Sequence, residues 1–498
     1  MLPSTSLPPR LFLSRAGIAA VIFIATLSGC AVGPDYVRPS MNIPAAYKET
    51  GTWKTATPGA AGSEQNWWEA YNDIILNGLI VQANQANQTI QQAQAQYRQA
   101  RAVAAASRAG FWPQASIGAS VNRAQTNENG IKLGTNYDTE LTVGWEPDLW
   151  GRVRRSIQAG EAESQASAAD LAAARLSIQA TLAQDYMQLR VTDLLEDLYA
   201  RSTSAYARAL ALTQSQYAAG VALRSDTALA QSQLNAAQAQ ALDIQIQRSQ
   251  LEHAIAILTG QAPAAFSLAP LAPASQPSVS LHTALPQTPT GIPSELLERR
   301  PDIASAERHV AAANANIGVA KAAYFPALTL VASGGFSAAS FAEWFTVPGR
   351  VWSLGAALAQ TLFDGGLRRA HSDQAIAAYD ITVAQYKQTV LSSFQEVEDN
   401  LAALRLLDQE ESKQALAVQA AQTAERLALA QYRGGTATYL GVVTAQTLAL
   451  SNERTLVQLR GRQLIASVAL IKAIGGDWNQ SRLLAASPLT SSLPAMGQ

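Results

Sequence analysis

The spacing of hydrophobic positions changes along the chain, and each change marks an element. From Ala115, the residues Ile117, Ala119 and Val121 alternate with Ser116, Gly118, Ser120 and Asn122. After a polar, glycine-containing loop over 126–136, Leu141, Val143 and Trp145 alternate with Thr142 and Gly144. A period of two with one apolar face is a strand pattern, and two such runs joined by a loop predict a hairpin. A second hairpin is predicted from Leu328, Leu330 and Ala332, then Trp352, Leu354, Ala356 and Leu358, whose alternate partners Ser353, Gly355, Ala357 and Ala359 are small. The expected strands cover about 115–124 and 137–147, then about 327–337 and 351–362. Their lengths approach the roughly 9–11 residues that a tilted membrane strand needs. The small or polar opposite face, with aromatic residues near the ends, favours a membrane barrel over a soluble hairpin packed on helices.

After each hairpin the pattern turns helical. Arg152 to Tyr217 and Leu367 to Tyr432 contain no proline and hardly any glycine. A helix of that length extends about 100 Å. Ordinary helices average about 11–12 residues, so coiled-coil-like packing is expected. Val383, Val390, Val397 and Leu404 fall seven apart, with Phe394 and Leu401 between them, which is a packing seam. Each long helix ends at a Tyr-x-x-Gly landmark, Tyr217 to Gly220 and Tyr432 to Gly435, where glycine supplies a left-handed C-cap. Shorter helices are expected over 224–259 and 439–474. A further Ala- and Gln-rich helix is expected over 74–110, ended by Pro113.

The order therefore repeats at an offset of about 215 residues. Gly260 recurs as Gly475, and Phe111-Trp112-Pro113 as Tyr324-Phe325-Pro326. Arg152, Arg154 and Arg155 recur as Arg368-Arg369 after Gly365-Gly366. A long internal period of this kind decides the fold. The expected organisation is a signal segment over 1–29 and an irregular N-terminal segment over 30–73. The first repeat then covers 74–260, a proline-rich linker 261–293, the second repeat 294–476 and a tail 477–498. At the start of the second copy, Glu298 to Asp302 reads as a charged turn with a structural ion-pair role, because a residue before proline avoids the helical region.

The first residues change the picture of where the chain resides. Arg10 and Arg15 precede an apolar run from Ala16 to Leu27, which is a secretory signal pattern too short for a membrane span. It ends in Leu27-Ser28-Gly29-Cys30, which resembles a bacterial lipobox, with the chain's single cysteine where the lipid would be attached. Paired acyl chains anchor stably. Ala31, rather than an aspartate, follows, as in lipoproteins addressed to the outer membrane.

Charge excludes other classes. Lys and Arg total 36 against 37 Asp and Glu, so no electrostatic case for nucleic acid arises. His253, His282, His309 and His371 stand singly without metal-ligand spacing. Gly334-Gly335 and Gly475-Gly476 read as turns rather than nucleotide-binding glycines. No phosphate loop, metal cluster or Ser/His/Asp set has supporting context, so an enzyme is not expected, and neither is a cofactor beyond the lipid on Cys30.

One chain offers four membrane strands, which cannot close a barrel. Each unpaired backbone group in lipid costs several kcal/mol. Closure then needs other chains. Barrels begin at about eight strands, which side chains fill, so a trimer with twelve strands is the arrangement that leaves a pore. The expected fold is mostly α with a membrane β-barrel portion. It is built from a duplicated unit of hairpin, long helix, turn and shorter helix. Three chains form a 12-stranded barrel on a periplasmic α-helical coiled-coil tube.

Several segments carry a specific resemblance. They are Val32-Gly33-Pro34-Asp35-Tyr36, Trp145-Glu146-Pro147-Asp148-Leu149-Trp150-Gly151-Arg152, Tyr217 to Gly220, and Pro293-Ser294-Glu295-Leu296-Leu297-Glu298-Arg299-Arg300-Pro301-Asp302-Ile303. Together with the lipobox they make the chain resemble the TolC-like outer-membrane factor family and its NodT-type lipoprotein subgroup, over essentially the whole mature chain. The resemblance implies a homotrimeric duct in the outer membrane of a Gram-negative bacterium. It takes small toxic compounds or drugs from a proton-coupled inner-membrane transporter through a periplasmic adaptor. An outer-membrane duct for type I protein secretion shares the architecture, and a non-porous coiled-coil rod or adhesin is the alternative of another class. The resemblance places adaptor docking at the helical turns, on Tyr217, Gly220, Val221, Tyr432, Gly435 and Thr436. Some members hold the tip shut with an aspartate and an arginine just beyond the second turn. Here Thr444 and Thr447 occupy those positions, so Asp226, whose counterpart in the second copy is Gly441, joins them as a candidate gate.

Overall fold

The computed structural model describes residues 31–49, 66–126, 132–271 and 293–480. Cys30 with its tetrapeptide, residues 272–292 of the expected linker and residues 481–498 of the expected tail lie outside them. The strands are β1 Gln114–Thr126, β2 Lys132–Trp145, β3 Ala327–Ala338 and β4 Arg350–Ala359. The helices are α1 Ile74–Ala86, α2 Gln88–Ala109, α3 Arg152–Ala218, α4 Arg224–Leu258, α5 Leu296–Arg299, α6 Pro301–Ala322, α7 Leu367–Arg433 and α8 Tyr439–Ala473. In each copy the long helix has 67 residues and the shorter one 35. No described helix is long and apolar enough to cross a membrane. Residues group into two compact units. One takes residues 31–40, 98–126, 132–166 and 306–386, and the other residues 41–49, 66–97, 167–271, 293–305 and 387–480.

In the first unit the two hairpins form one antiparallel sheet in the order β1-β2-β3-β4. The register sorts the side chains onto two faces. Ile117 pairs with Leu141, Val143 with Ala332, Trp145 with Leu330, and Leu328 with Leu358, all on one face. The other face carries the pairs Ser116 with Thr142, Gly118 with Glu140, Ser120 with Asp138, and Ser333 with Ser353. One face is thus apolar and exposed, the other polar, as the pleat requires when every second residue is apolar. Gly334 and Gly335 lie inside β3, not in a turn. A Cβ on Gly335 would stand 1.9 Å from the Thr139 carbonyl oxygen. The glycine therefore marks close backbone approach between strands.

The Val32–Tyr36 segment is strapped onto this unit. Val32 N donates to Trp150 O at 3.0 Å, and Arg155 donates to the carbonyls of Val32 and Gly33 and to Asp35. Asn314 donates to Pro34 O, and the Tyr36 hydroxyl donates to Glu307. The Glu146–Arg152 segment turns the chain from strand to helix. Asp148 accepts from Val153 N and Arg154 N at 2.8 and 2.9 Å, capping α3. Trp150 stacks on Phe325 at 4.8 Å and donates from Nε1 to Pro326 O at 2.7 Å.

In the second unit a core of Trp67, Trp68, Tyr71, Leu76, Ile80, Leu182, Tyr186, Ile255 and Val468 joins the N-terminal segment to four helices. The seam residues Val390, Val397, Leu401 and Leu404 are buried. The helix expected over 74–110 is broken at Asn87, which is extended at φ −66° and ψ 127°. Its Oδ1 accepts from Thr89 N and Ile90 N, and its Nδ2 donates to Leu258 O at 2.9 Å. An asparagine cap starts a second helix there, and a carbonyl from α4 secures it. Gly260, two residues after that carbonyl, has φ +75°, and a Cβ would meet Ala86 O at 2.5 Å. Its repeat Gly475 has φ +96°, and a Cβ there would clash with Arg299 O. The recurring glycine is required by close approach as well as by dihedral angle.

In the charged turn, Arg300 is extended, with φ −99° and ψ 122°, as expected before a proline. It is buried and pairs with Asp302 and Glu396, each at 2.7 Å. The charges there hold elements together.

Candidate functional site

Both helical turns belong to the second unit. They share a backbone solution. Gly220 N donates to Tyr217 O at 3.0 Å and Val221 N to Gln216 O at 2.9 Å. In the second turn Gly435 N donates to Tyr432 O at 3.1 Å and Thr436 N to Gln431 O at 3.0 Å. Paired bonds of this kind, with glycine in the left-handed region, are a Schellman C-cap, and Gly220 and Gly435 have φ +78° and +73°. Thr436 adds a side-chain bond to Gln431 O at 3.1 Å. Val221, in the same place, is apolar and 78% exposed.

The side chains of the two turns diverge. Tyr217 is 48% exposed, whereas Tyr432 is 7% exposed and packs edge-on against Tyr439 at 5.2 Å. The counterpart of Tyr439 in the first copy is Arg224, so Tyr217 has no ring to lean on. Tyr432 and Tyr439 belong to a cluster with Tyr206, Leu210, Leu234 and Val442, which draws on all four helices. Of the six expected docking residues, Tyr217 and Val221 therefore present apolar surface, joined by Leu223. Gly220, Gly435 and Thr436 shape the turns, and the Tyr432 ring is held inside.

The gate candidates fall in two environments. Thr444 and Thr447 are exposed, and their hydroxyls donate to Leu440 O and Val443 O one turn back, at 2.9 and 2.8 Å. Asp226 is half-buried, and its carboxylate accepts from Leu223 N at 3.4 Å at the start of α4. Its charge also acts on the tyrosine pair. Burial first, then the neighbouring Tyr432, Tyr206 and Asp226, push the Tyr439 hydroxyl up to about 12.

One polar layer escaped the sequence patterns. The Tyr206 hydroxyl donates to Gln446 O at 3.4 Å, and Gln446 is buried. Beside them, burial and the facing Glu453 raise the Glu425 carboxyl above its usual range. These residues sit at unremarkable spacings on α3, α7 and α8, so only packing brings them together. Among the described residues, no group of three or more His, Cys, Asp or Glu is placed to hold a metal.

A duplicated strand–helix unit, a sheet with one apolar and one polar face, and paired 67-residue helices define a class of outer-membrane channel proteins. The chain belongs to the outer membrane efflux protein family, whose sequence profile matches residues 79–261 and 292–476. It is 29% identical over 486 residues to the probable efflux pump outer membrane protein SepC of Pseudomonas putida, covering 95% of this chain and 98% of SepC. It is 31% identical over 479 residues to the outer membrane protein OprJ of Pseudomonas aeruginosa, covering 94% and 97%. Among solved structures, the outer-membrane channel OprN superposes with a TM-score of 0.82 at 31% identity, covering 90% of this chain and 99% of OprN. The open state of the Neisseria gonorrhoeae MtrE outer membrane channel gives 0.78 at 26% identity, covering 91% and 99%.

Proposed function

We propose that the chain is the outer-membrane duct of a tripartite efflux system, exporting small toxic compounds or drugs from the periplasm. The observation that carries this reading is the family match over both copies, to relatives named for efflux, in a sheet with one apolar and one polar face. The chain acts as a homotrimer whose twelve strands close a barrel in outer-membrane lipid, continued by a periplasmic helical tube. The apolar sheet face meets lipid, and the polar face, with Asp138 and Glu140, lines water. Cys30 carries the lipid anchor. A periplasmic adaptor docks at the turns, with Tyr217 and Val221 as its apolar contacts, and a proton-coupled inner-membrane transporter supplies the drive. No catalytic step is assigned to the chain.

Deleting the gene in its host is expected to raise susceptibility to a broad panel of dyes, solvents and antibiotics, and expression from a plasmid to restore resistance. Unchanged susceptibility with loss of a secreted protein would instead select the type I secretion duct.

Within this reading Asp226 carries the gate, because Thr444 and Thr447 bring no charge to the second turn. Asp226→Ala removes the carboxylate whose charge acts on Tyr432 and Tyr439 and which accepts from Leu223 N. Single-channel conductance of the trimer in planar bilayers is expected to rise. An unchanged conductance removes Asp226 from the gate.

A further inference from the structure

We propose that Leu362-Phe363 of one copy of this chain packs against Trp112 of a second copy, forming the joint where sheet meets sheet. The proposal rests on the trimeric-duct reading and names the residues of its chain-to-chain contact.

The internal duplication supplies the template. Within one chain, the end of β2 lies beside the start of β3, with Trp145 opposite Leu330. The chain leaving β2 then folds Trp150 onto Phe325, with the rings 4.8 Å apart and 24° from parallel, and its indole N–H on Pro326 O. Phe325-Pro326 is the second-copy counterpart of Trp112-Pro113. The in-chain joint is therefore an aromatic from the segment after one hairpin, seated on the aromatic-proline landmark before the next.

The same two parts exist once more in each chain, and there they are unpartnered. β1 and β4 are the edges of the sheet. Adding β1 of another copy antiparallel to β4 sets the end of β4 beside the start of β1, as in the template. The segment leaving β4 carries Leu362 and Phe363, each 89% exposed. The segment entering β1 carries Trp112, 72% exposed. Large apolar side chains are exposed beside both edges, and a closed ring buries both. The two joints differ in one respect. Trp150 donates a hydrogen bond, whereas Phe363 has no donor, so the joints between chains are the weaker ones in the ring.

Cysteine pairing in the full-length protein, purified in detergent, tests the contact. Cys30 is the only native cysteine, so the unsubstituted chain is the control. Trp112→Cys combined with Phe363→Cys, or with Leu362→Cys, is expected to give disulfide-linked dimers and trimers under mild oxidant, absent from each single variant and after reduction. Phe363→Ala is expected to lower the temperature at which the oligomer dissociates, and Phe363→Trp to hold or raise it. A trimeric mass by light scattering with no cross-link from either pair overturns the joint and leaves the duct reading standing. Ready labelling of Trp112→Cys in the intact trimer by a bulky maleimide overturns it in the same way. A monomeric wild-type protein overturns both.

Discussion

Asp193→Ala is expected to destabilise the helical unit by about 3–5 kcal/mol, the cost of leaving a buried charge unpaired. The Asp193 side chain is 1% exposed on α3 and accepts three bonds. Arg190 Nη1 donates at 2.9 Å, Arg248 Nε of α4 at 2.8 Å and Leu271 N at 3.2 Å. Both arginines reach further, to Ala269 O and Leu268 O, so one carboxylate fastens the chain leaving α4 across two helices. Alanine leaves the buried Arg190 guanidinium without a carboxylate, whereas Arg248 keeps Glu252 at 3.3 Å, and this penalty exceeds the mean worth of the bonds themselves. Asp193→Asn keeps an acceptor but loses the charge and should fall between. Asp243→Ala removes an exposed carboxylate bonded to Gln247 and should stay within about 0.5 kcal/mol. Far-UV circular dichroism melts of the three variants provide the comparison. Asp193→Ala melting with Asp243→Ala would show that the cluster carries no stability.

Arg300→Ala ranks second, at about 2–3 kcal/mol, below the range for a fully buried pair. Arg300 is buried, forks onto Asp302 and Glu396, and donates to Ala473 O at 2.8 Å at the end of α8. The discount arises on the other side of the pairs. The side chains of Asp302 and Glu396 are 38% and 51% exposed, so water can take over their solvation once the cation is gone. Ala473 O keeps no such option. Arg300→Lys should recover only part of the loss, since an ammonium cannot reproduce the planar fork. The effect should appear locally, as faster amide exchange over the last turn of α8 and at Gln480 N, which donates to Glu298 O. Exchange equal to wild type at those amides would rule out this role for Arg300.

Periodicity carried the elements further than it carried their contacts. Alternation over 115–124 and 327–337 is a property of the pleat, so it reported strands and their two faces without any partner. The break at Asn87 shows the limit. Nothing in Ala86-Asn87-Gln88 forbids a continuous helix, and the interruption depends on Leu258 O and on Gly260, which passes against Ala86. Gly334-Gly335 shows it in the other direction, because a glycine pair is local turn chemistry until a neighbouring strand needs the space. The expected site divides along the same line. The glycines and their C-caps at 220 and 435 were legible, being backbone geometry. The separation of Tyr217 from Tyr432 was not, because it depends on which residue stands across the turn.

The sequence by itself determined the duplication, the long-helix lengths and the strand faces, since each follows from period or repeat. Only the tertiary structure decided the rest. It put Tyr432 inside with Tyr439, left Tyr217 and Val221 outside, gathered Asp193 with two arginines, and left Trp112 and Phe363 open at opposite edges. The reason is that backbone period is written in neighbouring residues, whereas burial and charge pairing depend on residues that only the folded chain brings within a few ångströms.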